Sequence, residues 1–297
     1  MKDIFNGILR ISFIIAFLFA VLACTQAWEK RVDKAVDINF SDILWHAERA
    51  KAAYEKPDVI KTKFPNTVFV KTLKKIDVQY FIETFKKDKL HVISVRGTNN
   101  LKNFKQDVEY IPTKNKKLGI YVHKGFDRDT SRILRDILPR LNKDYAVKVT
   151  GHSLGAAIAS LLMINLHEEG FQIRPSVNFG QPKFTNKKGA KKYKFLPLLR
   201  VVNENDLVPL VPPVTLIDST HGRYVHFKPE VILLDGTKYV YLDDHDASRT
   251  LPGSFWLNIE HASVENHFMD NYLKDIKSKL LKADQVPYKD REKYISK

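Results

Sequence analysis

Residues 146–160, AVKVTGHSLGAAIAS, carry the clearest signal for the fold. The first part, Ala146 to Thr150, is a candidate strand, and the part from Leu154 onward is a candidate helix. The turn between them matches the pattern G-x-S-x-G, and its residues are Gly151, His152, Ser153, Leu154 and Gly155. Small residues two places on either side of the serine let the strand and the helix approach without side-chain collision. The stretch therefore predicts a strained serine directly after a strand.

Strands and helices alternate on both sides of this stretch. Further candidate strands are Val78 to Phe85, Leu90 to Val95, Ser176 to Phe179 and Leu198 to Val202. Helical stretches are Phe40 to Tyr54, Thr130 to Leu141 and Leu154 to Glu169, the last closed by Gly170. Tyr224 to Phe227 and Val231 to Leu234 look like a late hairpin. The alternation predicts an α/β fold with a mainly parallel central sheet and helices on both faces.

The length and composition favour a single globular domain. The chain has 297 residues, of which 44% are hydrophobic, and one-domain α/β folds often reach this size. No internal repeat, Pro-rich or Gly/Ser-rich linker, or low-complexity tract divides the sequence. We therefore expect residues 24–297 to form one domain with a basic C-terminal tail, preceded by a signal peptide over residues 1–23.

The N-terminus has the charge order of an export signal. Lys2 and Arg10 are followed by an apolar run of 13 residues from Ile11 to Ala23. A helix of that length reaches about 20 Å, which is short of the roughly 30 Å hydrocarbon core of a bilayer. An uncleaved anchor and a buried core helix are the alternatives. We expect a signal peptide and hence an exported protein.

Cys24 is the only cysteine in the chain, so no intrachain disulfide can form. It ends the string Val21-Leu-Ala-Cys24, which resembles a bacterial lipobox, where the cysteine is acylated and becomes the mature N-terminus. The alternative is a plain secreted protein that is cut after Ala27. We favour a cell-envelope lipoprotein that is anchored through Cys24.

The chain is strongly basic, with 49 Lys and Arg against 34 Asp and Glu and a formal charge of +15. Its lysines cluster in three places, which are Lys183, Lys187, Lys188, Lys191, Lys192 and Lys194, then Lys114, Lys116 and Lys117, and finally a lysine-rich helix and tail after Lys274. Nucleic acid is disfavoured as a partner, because the chain carries no nucleic-acid module motif and an exported protein rarely meets that polymer. An anionic lipid surface is a better partner than nucleic acid, but a merely solvated face is the usual interpretation of such charge runs.

The candidate nucleophile Ser153 needs a base to take its proton and a carboxylate to orient that base. Folds with the G-x-S-x-G turn supply these groups in the chain order Ser, Asp or Glu, His. Asp206 stands where the acid is expected, because it follows the strand Leu198 to Val202 and precedes the rigid Val208-Pro-Leu-Val-Pro-Pro213. Glu204 is the competing acid.

The histidines that follow Asp206 are His221, His226, His245, His261 and His267, and only one can act as the base. His226 sits in an alternating strand, where a structural role is the usual interpretation. His221 and His245 fall in turns rich in Gly or Asp. His261 and His267 flank the start of the final helix, and spacing alone does not decide which of them is the base.

Several strings resemble the class 3 lipase family in their order and spacing, over most of Val78 to Tyr272. Besides the serine turn they are Val95-Arg-Gly-Thr98, Val122-His-Lys-Gly-Phe126, Phe179-Gly-Gln-Pro182, Asn203 to Pro212 and Asn266-His-Phe-Met-Asp-Asn-Tyr272. Gln181 and Lys183 differ from the commoner choices of that family. The resemblance implies an α/β-hydrolase fold and a catalytic triad of Ser153, Asp206 and His267.

The resemblance also implies an oxyanion hole formed by Thr98 and the backbone N–H of Leu154. For Thr98, a turn residue at a strand end is the alternative. Leu101 and Phe104 stand at the spacing of the lid segment of the family. We expect no cofactor and no metal ion.

The function that the resemblance implies is hydrolysis of lipid esters through an acyl-enzyme on Ser153. The enzyme would be a triacylglycerol lipase or a phospholipase of the A type. An esterase of small soluble esters and a non-catalytic lipoprotein that binds lipid surfaces are the alternatives. The expected partners are a lipid ester substrate and a membrane or lipid interface.

Overall fold

A computed structural model of the protein describes residues 35–98, 111–204, 206–212, 222–243 and 265–295. The lid candidates Leu101 and Phe104, the candidate lipidation site Cys24 and the alternative base His261 lie outside these ranges. The helices are α1 (Phe40–Ala52), α2 (Pro57–Lys63), α3 (Lys124–Ile137), α4 (Leu154–Glu168), α5 (Lys187–Lys192) and α6 (Met269–Lys277).

The strands fall into two sheets in the described part of the chain. They are β1 (Thr67–Leu73), β2 (Val78–Phe85), β3 (Leu90–Val95), β4 (Pro112–Asn115), β5 (Ile120–His123), β6 (Ala146–His152), β7 (Ser176–Phe179), β8 (Thr185–Asn186), β9 (Leu198–Asn203), β10 (Tyr224–Val225), β11 (Glu230–Leu233), β12 (Lys238–Leu242) and β13 (Asp284–Gln285). All five strands that the sequence predicts from residue 78 to residue 202 are present. Two of them run further than predicted, because β6 continues to His152 and β9 to Asn203.

The central sheet has nine strands in the order β1-β2-β3-β6-β7-β9-β11-β12-β13 within the described residues. Its middle strands, β3, β6, β7, β9 and β11, run parallel to one another. The strands β1 and β2 are antiparallel additions at one edge, and β12 runs antiparallel to β11 near the other. The mainly parallel sheet is therefore confirmed.

The predicted late hairpin is wrong. Tyr224–Val225 pairs with β8 in the second sheet, whereas Glu230–Leu233 lies between β9 and β12 in the central sheet. Lys228, at a φ of 81°, lies between the two strands. All four residues of β11 are buried, as is typical of a strand covered on both faces. The partner of such a strand is set by long-range packing, which the local pattern does not reveal.

Helices cover both faces of the central sheet, as predicted. The alternation along β6 separates the two layers, because Val147 and Val149 face the core that contains α3 and α4. On the other face, Lys148 and Thr150 bond to residues of α1. The helix α6 packs beside α1 over β7, β9 and β11. The helix α4 has no polar stripe along its surface, because most of its residues are buried.

The second sheet and the end of the chain cover the sides of the molecule. The small sheet is antiparallel and has the order β10-β8-β5-β4. The lysine-rich end of the chain packs on the edge of the central sheet, where β13 pairs with β12 and Val286 and Tyr294 join a hydrophobic cluster. Among the described residues, no helix is long and apolar enough to cross a membrane.

Candidate active site

Ser153 occupies a strained turn where β6 runs directly into α4. Its backbone has a φ of 59° and a ψ of −134°, a conformation that is costly for a residue with a side chain. The N–H of Ser153 donates to Phe179 O at 3.0 Å. A Cβ on Gly151 would lie 2.5 Å from Gly155 O, and one on Gly155 would lie 2.4 Å from Val95 O. Both glycines of the turn are therefore required by the packing of backbone on backbone.

Asp206 is held by four hydrogen bonds just beyond the end of β9. Its backbone N–H donates to Asn203 O at 3.1 Å, and its Oδ1 accepts the N–H of Val208 at 2.9 Å. Its Oδ2 accepts two bonds, from His267 Nδ1 at 2.8 Å and from the Tyr272 hydroxyl at 2.6 Å. The carboxyl group is buried and fixed in one orientation, with His267 as its partner.

The His267 ring is oriented for use as a base. It is buried, and its Nδ1–H donates to the Asp206 carboxylate, which can only accept when ionised. In the neutral ring the lone pair then lies on Nε2. His267 Nε2 and Ser153 Oγ are both buried, and neither has a hydrogen-bond partner among the described residues. This is the tautomer that a base must have to take a proton from a serine.

Gly180 brings the serine turn and the His–Asp pair together. It directly follows Phe179, whose carbonyl accepts the N–H of Ser153. Gly180 has a φ of +54°, and a Cβ there would lie 2.8 Å from His267 Cε1 and 3.1 Å from Asp206 Oδ2. This role is not among the sequence predictions, although a glycine directly after a predicted strand is a signal of close approach.

Glu204, the competing acid, and His226, one of the competing histidines, make their contacts with other groups. Glu204 pairs with Arg291 at 3.3 Å, and burial raises its pKa. The ring of His226 is hydrogen-bonded to the backbone of Pro209, and burial, aided by the Arg200 guanidinium, holds its pKa well below the usual value. His226 thus braces the loop that carries the acid, as a neutral structural residue.

The loop after β3 lies over the serine turn. A Cβ on Gly97 would lie 2.8 Å from both His152 O and Ser153 Cβ, so the next residue, Thr98, is held beside the nucleophile candidate. Leu154 is the first residue of α4, where backbone N–H groups have no partner within the helix. The structure thus brings both oxyanion-hole candidates to Ser153.

A cavity of about 170 Å³ opens beside these groups. It is lined by Lys51, Tyr54, Thr98, His152, Phe268, Met269 and Asp270. Phe268, which follows the candidate base, is 48% exposed at its rim. Among the described residues, no group of three or more His, Cys, Asp or Glu side chains is placed to hold a metal ion.

Tyr272 is a second residue whose role does not follow from the sequence predictions. It reaches Asp206 from α6, and burial together with the nearby Asp206 charge holds the pKa of the phenol well above its usual value. The phenol therefore stays protonated and donates to the carboxylate. Its position five residues after His267 is the only signal in the sequence.

A mainly parallel sheet, a serine in a strained turn and a buried His–Asp pair define an α/β-hydrolase with a serine nucleophile candidate. Residues 92–216 match the family model described as "Lipase (class 3)". Ser153 and Asp206 lie within the matched segment, whereas His267 lies beyond it. The fold also resembles lipase II from Rhizopus niveus, with a TM-score of 0.66 and 22% identity, covering 78% of this chain and 94% of that one.

Curated relatives point to the same family. A lipase of Rhizomucor miehei is 33% identical over 144 residues, which are 42% of this chain and 38% of that protein. A secreted mono- and diacylglycerol lipase of Fusarium solani is 27% identical over 177 residues, which are 54% of this chain and 49% of that protein. The chain thus spans less than half the length of these relatives. The matched segment is thus similar to the class 3 lipases over less than half of this chain.

Proposed function

We propose that the protein is a carboxylic ester hydrolase that acts on lipid esters with Ser153, Asp206 and His267 as its triad. One observation carries the proposal: a buried His–Asp pair lies beside a serine in a strained strand-to-helix turn, and neither His267 Nε2 nor Ser153 Oγ has a hydrogen-bond partner among the described residues. The matched lipase family supports the assignment.

The proposed reaction proceeds through an acyl-enzyme. His267 Nε2 takes the proton of Ser153 as Oγ attacks the ester carbonyl carbon, and the negative oxygen is stabilised by the backbone N–H groups of Thr98 and Leu154. His267 then gives its proton to the departing alcohol. A water molecule that His267 activates releases the acid. Asp206 stabilises the imidazolium, and the Tyr272 hydroxyl stabilises the carboxylate.

Serine labelling by a fluorophosphonate tests this proposal, because only an activated serine reacts appreciably. Ser153→Ala should abolish labelling and reduce ester turnover by about 10⁶-fold, as is typical of a lost triad serine. Ser94→Ala is the matched control, since it removes another buried hydroxyl that has no hydrogen-bond partner among the described residues. Retention of a tenth of the activity in Ser153→Ala would refute the assignment.

We propose a lipid ester as the substrate, either an acylglycerol or a phospholipid. The exposed ring of Phe268 at the rim of the cavity supports this, since an apolar rim suits a lipid surface. Phe268→Ser should lower turnover of an emulsified ester but not of the same ester below its solubility limit. Leu281→Ser, which changes a fully exposed leucine outside that cavity, is the control. Equal effects on both forms of the ester would favour the small-ester alternative.

We propose that residues 1–23 are a signal peptide, that the exported domain spans residues 24–297 and that Cys24 carries lipid. The apolar run, the solitary cysteine and the secreted relatives support export. Fatty-acid labelling in a bacterial host should be lost in Cys24→Ser. An unlabelled wild-type chain that begins at Trp28 would instead support a plain secreted protein.

We also propose an anionic lipid interface as a partner, because the chain is strongly basic. The lysine clusters extend to the end of the molecule opposite the site, because Lys117 pairs with Glu169 at the C-terminus of α4. That helix has 15 residues, so its end lies about 22 Å from Ser153. Lys192 bonds to Leu118 O in the same region. Lys187 and Lys188, at the start of α5, lie farther along that helix from this region than Lys192 does.

Vesicle hydrolysis tests this interface. Wild-type turnover of one phospholipid should be faster on anionic than on neutral vesicles, and the difference should fade with salt. Changing Lys187 and Lys188 to Gln should shrink it, whereas changing Lys116 and Lys117 at the far end should not. Equal rates on both vesicle types at low salt would leave the lysines as a solvated face.

A further inference from the structure

A chain of hydrogen bonds joins the loop that carries the oxyanion-hole candidate Thr98 to the candidate base His267. The N–H of Gly97 bonds to the Tyr54 hydroxyl at 3.2 Å. That hydroxyl bonds to His152 Nδ1 at 2.7 Å. His152 Nε2 in turn bonds to the backbone O of His267 at 2.7 Å. The bonds connect four segments that are far apart in the sequence.

The direction of each bond follows from the groups themselves. A backbone carbonyl can only accept, so His152 Nε2 must carry a proton and donate to His267 O. Burial and the neighbouring His267 ring hold the pKa of His152 well below its usual value, so the ring is neutral and its Nδ1 accepts. The Tyr54 hydroxyl therefore donates to Nδ1, and its oxygen accepts the N–H of Gly97. Only one pattern of protons satisfies all three bonds.

Both ends of this chain adjoin groups that the proposed reaction uses. Gly97 immediately precedes the oxyanion-hole candidate Thr98, and the carbonyl at the other end belongs to the base itself. The middle residue, His152, precedes Ser153, and its ring centroid lies 4.4 Å from that of His267. A neutral ring at this distance does not oppose the positive charge that His267 gains during proton transfer.

We propose that Tyr54 and His152 are positioning residues, which hold the Gly97–Thr98 loop and the His267 backbone in fixed register around Ser153. This inference rests on the proposed function. Neither residue touches the reacting atoms. Their contribution is the geometry of the oxyanion hole relative to the base, which must hold within a fraction of an ångström for efficient catalysis.

Tyr54→Phe tests the proposal, because it removes a single hydroxyl and keeps the ring. On a soluble ester we expect kcat to fall roughly 10- to 100-fold, with KM within about threefold of wild type. Phosphonate labelling should slow in parallel, since it needs the same oxyanion geometry. The matched control is Tyr193→Phe, which removes a buried hydroxyl bonded to Glu168 and Leu118 O at the far end of α4. A kcat for Tyr54→Phe within about threefold of that control would overturn the proposal.

Two variants of His152 give the same answer should Tyr54→Phe fail to fold. His152→Asn keeps an acceptor near the Nδ1 position, and His152→Gln keeps a donor near Nε2. Because the chain needs both, each should lose kcat while KM changes little. Full kcat in either folded variant would overturn the proposal.

Nitrogen-15 NMR of the histidine rings separates this inference from the proposed function. The wild-type His152 ring should show a protonated Nε2 and a hydrogen-bonded Nδ1 across neutral pH, and Tyr54→Phe should shift Nδ1 toward the value of a free acceptor. These signals with no serine labelling of the wild type would contradict the proposed function but not the hydrogen-bond chain. Protonation of Nδ1 instead would overturn the chain itself.

Discussion

The substitution Gly180→Ala adds a Cβ atom where the backbone passes close to His267 and Asp206. Gly180 has a φ of +54°, and the new Cβ would lie 2.8 Å from His267 Cε1 and 3.0 Å from His267 Nδ1. Real Cβ atoms essentially never approach other atoms this closely, so the imidazole must shift from its position beside Asp206. Left-handed backbone also costs alanine about 1 to 2 kcal/mol. The substitution therefore combines a backbone cost with a displaced base.

The two effects are separable because the chain offers a matched glycine. Gly236 has a φ of +58°, and a Cβ there would meet no atom within 4 Å. Gly236→Ala should therefore lose a similar amount of unfolding free energy, about 1 to 2 kcal/mol, and keep its turnover. Gly180→Ala should lose at least as much stability, together with roughly 10- to 100-fold in kcat/KM, since a base displaced by up to about 1 Å transfers the proton poorly.

The assay is ester hydrolysis at a temperature where thermal denaturation shows all three proteins to be fully folded. A fluorophosphonate titration of active sites corrects each rate for the folded fraction. If Gly180→Ala keeps more than half of the kcat/KM of Gly236→Ala, the contact between Gly180 and the His267 ring does not set the position of the base. The close approach of β7 to the imidazole would then have no part in catalysis.

Two further predictions concern titratable side chains. His267→Ala should reduce ester turnover as much as Ser153→Ala does. His226→Ala should lose stability but keep measurable turnover, because His226 bonds to the backbone of Pro209. The reverse ranking in turnover would assign the base to His226. Burial lowers the pKa of Lys279 from 10.5 to about 8, so the unfolded chain binds this proton more tightly. Lys279 should therefore make the unfolding free energy rise between pH 8 and 10.5. Urea unfolding should show that Lys279→Met removes this rise, and an unchanged slope would contradict it.

The parts of the fold that follow from the sequence are those with local signals. The central strands are mainly apolar, and the turn around Ser153 carries its own pattern, because only glycine fits where Gly151 packs on Gly155 and Gly155 on Val95. The predicted start of α3, at Thr130, is too late. The helix begins at Lys124, where the side chain of His123 accepts the N–H of Phe126 and caps the helix. A histidine lies outside the usual cap residues, so this start has no signal in the local sequence.

The features that do not follow from the sequence depend on contacts between distant segments. The roles of Tyr54 and Tyr272 depend on long-range packing, because α1 ends and α6 begins near His152 and Asp206. Spacing alone leaves the choice between His261 and His267 open, and the family resemblance decides it. The bond from His267 Nδ1 to Asp206 gives that choice a physical basis.

The parallel register explains why the site needs a glycine between its acid and its nucleophile. The strands β6, β7 and β9 are adjacent, and their pairing aligns His152 with Phe179 and Phe179 with Val201. Ser153 and Asp206 therefore leave the sheet two strand spacings apart, about 10 Å at ~4.8 Å per strand. That distance is too long for a direct hydrogen bond and suits an imidazole placed between them. The ring must then pass over the end of β7, where Gly180 leaves it room. A side chain at that position would collide with the imidazole that lies between them.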